Sequence, residues 1–303
     1  MAASPRCKPI WGGRLVAIYA EVSAHVPEEE VAAALALAKT KQVDAVIGLG
    51  GGSAIGLAKA VAMALEAQRD GVRQAVARFP TDQPQTPNIA IPTTYAGSEM
   101  TPIYGVTHTL ADGATRKVTV RDPKIAPKLV IYDPELTLEL PASVTAATGV
   151  NALAHCVEAL YSVTRNPLSS AAASDGIRHI TAALPKCLAD GRDWAARTEM
   201  LVGAHLAGLS LASVKMGIHH GTCHVLGGSA GLPHGVANAI ILPHAMRFNL
   251  PVAAPQLAHV AVAMGVNARG LGEQEADVNA VSAAAEAAAD AVAGWIARLG
   301  LPQ

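Results

Sequence analysis

The chain has 303 residues, 51% of them hydrophobic and 16% charged. That balance favours a large buried core over a disordered chain, and the length suggests two domains. A formal net charge of -1, with no long basic block, removes the electrostatic footprint of a nucleic-acid binder. Four cysteines, Cys7, Cys156, Cys187 and Cys223, are spaced too widely for a paired metal motif or a disulfide scaffold, so they read as reduced thiols of a cytoplasmic protein. No stretch reads as a signal peptide or as a membrane span free of Gly, Pro and charge.

In chain order, PEEEVAAALALAKTK from Pro27 predicts a helix, with proline at its start, acidic residues in its first turn and lysines in its last. Ala45 to Leu49 predicts a short buried strand that passes through Gly50, Gly51 and Gly52 into a second helix. Asn88 to Ile91, ending at Pro92, and Leu129 to Tyr132, closed by Asp133-Pro134, predict two more strands. Strands alternating with helices imply a parallel, doubly wound α/β sheet of the Rossmann-like kind. After Leu140-Pro141 the pattern becomes Ala-rich and helical to the end, so residues 1–140 are expected to form an α/β dinucleotide-binding domain and 141–303 an all-α domain. With aromatics at only 3%, small side chains have to close the packing between helices. The tail VNAVSAAAEAAADAVAGWIARLG reads as a plain amphipathic helix.

Gly50-Gly51-Gly52-Ser53 follows an apolar strand and opens a helix, so N–H groups without an obstructing Cβ can approach a pyrophosphate at the positive helix end. The spacing differs from the GxGxxG fingerprint, and a Gly-rich turn is also an ordinary tight connection. Its companion is Pro92 to Glu99, where Thr93, Thr94 and Ser98 cluster after a second strand, at the sheet edge where open α/β folds bind ligands. The plainer alternative is a Ser/Thr turn with a helix cap. Lys117 is a candidate phosphate partner from a third loop, though a solvated surface lysine is the default reading.

Four residues separate Asn151 from His155 on one predicted helix, and four separate His220 from His224 on another, with His234 beyond a Gly-rich loop. Residues four apart share a helix face, so these side chains are expected to converge on a metal or proton-transfer site. Core or capping histidines are the alternative for any one of them. His219 and His244 lack the matched spacing and read as structural. Lys215, five residues before His220, reads as a solvated lysine and only secondarily as a carboxylate partner. Asn151 stands where a metal site would profit most from a carboxylate, and a neutral amide supplies no charge to offset a cation. The residues themselves therefore argue against a catalytic metal.

The GGGS turn, PTTYAGSEMTPIYGVT, GVNALAHCVEALYS and HHGTCHVLGGSAGLPHGVANAIILPH occur in this order, and from about Leu15 to about Gly300 they resemble the iron-containing alcohol dehydrogenase family, most closely its maleylacetate reductase branch. The resemblance implies a dehydroquinate synthase-like fold in which the first strand and helix of the family are missing, and relatives that continue beyond Gln303. It implies NAD(P)H as cofactor, held by Gly50, Gly51, Gly52, Ser53, Thr93, Thr94, Ser98 and Lys117. It implies His155 and His224 as catalytic residues and Asn151, His220, His234 and Tyr104 as substrate contacts. Asn151, His155, His220 and His234 occupy the positions of the family's metal ligands, an Asp and three His. The branch commonly carries Asn at the first position and is regarded as working without metal. PHGVANAIILPH departs from the branch's usual PHAETH towards the alcohol dehydrogenases. The expected protein is a cytoplasmic homodimer reducing a small dicarboxylate; a metal-dependent alcohol dehydrogenase and a silent nucleotide-binding relative are the alternatives.

Overall fold

The computed structural model describes residues 12–23, 26–73, 86–109, 112–113, 115–230, 232–266 and 278–302; Cys7 and the side chain of Lys117 lie outside the described residues. Contacts divide the chain into two units, Met1–Thr93 with Ser98–Tyr132, and Thr94–Gly97 with Asp133–Gln303. The helices are α1 (Glu28–Thr40), α2 (Gly52–Arg73), α3 (Ala142–Tyr161), α4 (Pro167–Ala189), α5 (Trp194–Ser213), α6 (Ile218–Ala230), α7 (His234–Ala263) and α8 (Val278–Arg298). The strands are β1 (Val46–Gly50), β2 (Asn88–Pro92), β3 (Ile103–Thr109), β4 (Thr115–Arg121) and β5 (Leu129–Val130).

In the first unit, α1 starts behind Pro27 with Glu28, Glu29 and Glu30 in its first turn and Lys39 in its last, so charge complements the helix dipole at both ends. The parallel sheet has the order β1-β2-β5, with Val46 opposite Asn88, Gly50 opposite Pro92 and Ile89 opposite Leu129. This is the parallel α/β sheet expected from the alternation of strands and helices. A second, two-stranded sheet was not anticipated: β3 and β4 pair antiparallel from Ile103 opposite Arg121 to Thr109 opposite Thr115. Val26, Ala34, Ala38, Leu57, Ala60, Val61, Leu65 and Val106 form the core of this unit, with Tyr104, Val31 and Val46 packed against it.

Among the described residues the second unit contains no strand. Every residue of α3 from Gly149 to Leu160 is buried, the signature of a helix surrounded by others rather than lying on a surface. Around it, α4 begins with a capping box between Asn166 and Ser169, and α5 begins with the Asp193 carboxylate accepting from the Ala196 N–H, so both helix starts have their orphan donors satisfied. Three prolines, Pro243, Pro251 and Pro255, lie within α7, which kinks at Ala253, as missing N–H groups require. One helix among the described residues, α8, is long and apolar enough to cross a membrane by length and composition. Its Ala285, Ala288, Ala289, Val292 and Ile296 are buried and it packs along α7.

Gly50 closes β1 at φ +142°, and a Cβ there would lie 2.8 Å from that of Ala54. Only glycine meets both conditions. Gly50→Ala is therefore expected to lower stability by about 1–3 kcal/mol, seen as a reduced urea midpoint at unchanged m-value; an unshifted midpoint would show that the turn tolerates a side chain.

Candidate functional site

The glycine turn joins β1 directly to α2, with Gly52 and Ser53 as the first two helical residues, so N–H groups lacking intrahelical partners collect at that end. Thr93 N–H donates to Gly50 O at 3.0 Å, which binds the turn after β2 to the turn after β1. Ser98 opens a single 3₁₀ turn, Ser98–Met100. Thr94 belongs with Tyr95–Gly97 to the second unit. Tyr104 sits on β3 against the core cluster of the first unit, which gives its ring a packing role.

Behind this edge lies a group that the sequence reading passed over. Lys59 on α2 is fully buried, and its ammonium donates to Ser98 O, to Thr101 Oγ1 at 3.3 Å and to Ile103 O at 3.0 Å. Burial pulls its pKa down to about 7 against the opposing pull of Glu99. The Glu99 carboxyl is itself pushed up by burial while accepting a hydrogen bond from Tyr132. Lys59 thus fastens Ser98 and the start of β3 to the helix that follows the glycine turn.

In the second unit the short segment Thr94–Gly97 lies on α3 through three polar contacts. Tyr95 N–H donates to Thr148 Oγ1 at 3.4 Å, and Asn151 Nδ2 donates to Ala96 O at 3.3 Å. The buried Arg197 of α5 donates from one nitrogen to Tyr95 Oη and to Thr145 Oγ1, both at 3.0 Å. Gly97 has φ +76°, and a Cβ there would come within 3.3 Å of Gly208 Cα and 3.5 Å of His155 Nδ1.

The imidazoles do converge. His155 stacks on His220 with centroids 4.7 Å apart and planes 18° apart, His224 stacks on His234 at 5.5 Å, and His220 lies 6.5 Å from His234. His219, set aside for want of matched spacing, packs edge-on against His220 at 4.8 Å and is fully buried. Glu158 was missed: it lies on α3 three residues beyond His155, and its carboxylate is 2.5 Å from His220 Nδ1. Its spacing was a readable signal, because seven residues from Asn151 is again the same helix face. Burial, then the neighbouring His220, His234, His219 and His224, hold the His155 pKa well below the usual imidazole value, so the ring is neutral at pH 7. His244 and Lys215 are exposed.

Two family descriptions match the chain: iron-containing alcohol dehydrogenase over residues 9–134, and the Fe-containing alcohol dehydrogenase family, C-terminal, over residues 145–303. The chain belongs to the iron-containing alcohol dehydrogenase family. Among its relatives, the maleylacetate reductase of Burkholderia cepacia is 41% identical over 89% of this chain and 70% of its own length. Maleylacetate reductase 2 of Cupriavidus pinatubonensis is 44% identical over 80% of this chain and 60% of its own. The solved maleylacetate reductase of Rhizobium sp. strain MTP-10005 has a TM-score of 0.78 at 35% identity, covering 99% of this chain and 75% of that one. A solved 1,3-propanediol oxidoreductase has a TM-score of 0.82 at 32% identity, covering 95% and 72%. The chain spans 60% and 70% of the length of the two curated relatives named.

Iron-containing alcohol dehydrogenases imply a metal, and the donor set can be tested for it. Asn151 Oδ1, His155 Nδ1 and His220 Nε2 are buried without a partner among the described residues. The amide oxygen, and either ring nitrogen in the tautomer that leaves it unprotonated, would offer a lone pair to a cation or a hydrogen-bond donor; protonated, the ring nitrogens would instead donate. Asn151, however, contributes no charge, and among the described residues the Glu158 carboxylate touches this set through His220.

Since the pKa of Lys59 is lower in the fold than the unfolded value of 10.5, the unfolded chain binds more protons between about pH 7 and 10.5, and stability rises with pH across that window. Urea titrations at stepped pH are expected to show this slope in the native protein and a flatter one in Lys59→Met. Equal slopes would mean that the ammonium keeps its ordinary pKa.

Proposed function

We propose that the chain is a maleylacetate reductase that uses NADH or NADPH to reduce 2-maleylacetate to 3-oxoadipate in aromatic-compound degradation, as a cytoplasmic homodimer. The observation that carries this reading is Asn151: a neutral amide, tied to Ala96 O, stands at the head of an otherwise complete histidine set. The similarity to maleylacetate reductases supports the same reading. Hydride added to a carbon–carbon double bond conjugated to a ketone places negative charge on the ketone oxygen, so the transition state needs a donor at that oxygen and a proton for the adjacent carbon.

His155, buried and neutral with a nitrogen lacking a partner, is assigned the donor role, as neutral imidazoles serve in other carbonyl chemistry. His224, the exposed ring of the second stack, is assigned as the acid that exchanges its proton with solvent. Asn151, His220 and His234 complete the substrate contacts. Gly50, Gly51, Gly52, Ser53, Thr93, Thr94, Ser98 and Lys117 are assigned to the nicotinamide cofactor, with helix N–H groups at the pyrophosphate.

A second reading, a metal-dependent alcohol dehydrogenase, is favoured by the partnerless acceptors on Asn151 and His220 and by the PHGVANAIILPH stretch. Asn151, His155, His220 and His234 would then hold the metal, which when bound polarises a substrate oxygen as a Lewis acid.

An assay of NADH and NADPH oxidation with maleylacetate, before and after chelation, separates the two readings. Activity is expected to survive chelation, and His155→Ala is expected to lose about 100-fold in kcat. Activity restored only by added iron or zinc would establish the second reading, and undiminished turnover in His155→Ala would remove that residue from the chemistry.

A further inference from the structure

Hydrogen bonds among the buried imidazoles decide where each ring proton sits. His219 Nε2 lies 3.3 Å from the carbonyl oxygen of Asn238. A carbonyl only accepts, so this nitrogen carries the proton and His219 Nδ1 is left with a lone pair. That lone pair faces His220 Nδ1 at 3.2 Å, and the same His220 Nδ1 lies 2.5 Å from Glu158 Oε2. Two acceptors meet at one nitrogen, which must therefore be N–H. The remaining nitrogen of His220, Nε2, is buried with no partner among the described residues.

Glu158 is suited to this task because nothing leaves it free to turn. It is fully buried, and its two oxygens also accept the backbone N–H groups of His219 at 3.0 Å and His220 at 3.4 Å. Both donors lie in the first turn of α6, the positive end of the helix dipole. Burial works to raise the Glu158 carboxyl, but its hydrogen bonds to the His220 ring and the His219 backbone hold it below the usual range. Ligand atoms of Glu158, His219 and His220 all lie within 4.8 Å of one another, a spacing a metal could bridge. In this arrangement, though, the His220 Nδ1 proton and the carboxylate oxygens are already spent on one another.

We propose that Glu158 is a positioning residue that locks neutral His220 in its Nδ1–H form, so that His220 meets its ligand through a bare Nε2, as an acceptor. His220 then does not clamp a substrate carboxylate. Its partner is a hydrogen-bond donor such as a water, through which it touches the substrate, because the carboxylate and ketone oxygens of maleylacetate only accept. The inference deepens the reductase reading and rests on it for the reaction, while the tautomer itself stands on hydrogen bonds alone.

Long-range proton–nitrogen correlation of the ¹⁵N-labelled full chain at about pH 9, well above the usual imidazole pKa of about 6.5, reads each ring directly. His220 is expected to show a pyrrole-type Nδ1 and a pyridine-type Nε2, and His219 the reverse, with assignments from His219→Gln and His220→Gln. In Glu158→Gln, which can supply only one acceptor, the His220 pattern is expected to shift towards Nε2–H. Loss of carboxylate support of this kind costs about 10–100-fold in activity, here expected in kcat, with the KM for maleylacetate changing less than about threefold. A pyridine-type Nδ1 on His220 in the native protein overturns the proposal even if the variant fails to fold, and so does an unchanged pattern in a folded Glu158→Gln. A native spectrum as expected, in a protein that does not reduce maleylacetate, keeps the lock and rejects the reaction.

Discussion

The arrangement of the second unit depends on one buried cation. Arg197 is 1% exposed and has no carboxylate partner in its hydrogen-bond set; Tyr95 Oη, Thr145 Oγ1, Gly191 O and Leu140 O accept from it instead. A guanidinium with five fixed donors is matched by such a ring of neutral acceptors, and each of them would lose a hydrogen bond without it. Two of the four partners define the site: Tyr95 places the segment Thr94–Gly97, and Thr145 marks the beginning of α3. Segment and helix are thereby fixed to one another before any imidazole is considered.

With α3 so placed, ordinary helix geometry supplies the rest. Asn151, His155 and Glu158 fall on one face at spacings of four and three, and each addresses a different neighbour. Asn151 reaches the Ala96 carbonyl, His155 stacks on His220, and Glu158 accepts from the first turn of α6. The histidine cluster is consequently a property of two helices meeting, α3 and α6, with α7 adding His234 as its first residue. Close approach is possible because the bundle is built of small side chains, Ala152, Ala154, Ala204 and Ala207 among those fully buried, which lets helix axes come near without displacing the rings.

Much of this was legible from residue order. The charge pattern of α1, the strand–glycine–helix unit of β1 and α2, and the paired spacings of Asn151 with His155 and of His220 with His224 each express a local rule, and local rules survive without tertiary information. The β3–β4 hairpin was legible too, since IYGVTHT and TRKVTVR alternate around Asp112-Gly113; the stretch was read for its motif rather than for its period. Lys59 shares a helix face with Ile55 and Ala62, and a lysine on an apolar face is a visible anomaly. Arg197 is different. Two of its four acceptors are backbone carbonyls, at Leu140 and Gly191, and carbonyls carry no sequence signature. No spacing on α5 points to Tyr95, 102 residues away along the chain.

The amide at position 151 does more than withhold a charge. Its Nδ2 donates to Ala96 O, so the side chain is part of the fastening that holds Thr94–Gly97 on α3. A carboxylate of the same shape would present an acceptor to an acceptor there. It would have to turn away from the carbonyl, protonate, or share a cation with it, and each alternative weakens the fastening or demands a bound charge. Asn151 removes that demand while leaving Oδ1 unpaired among the rings. The amide that withholds a charge from the ring cluster is thus also the one that closes the segment onto the helix, through a single hydrogen-bond donor.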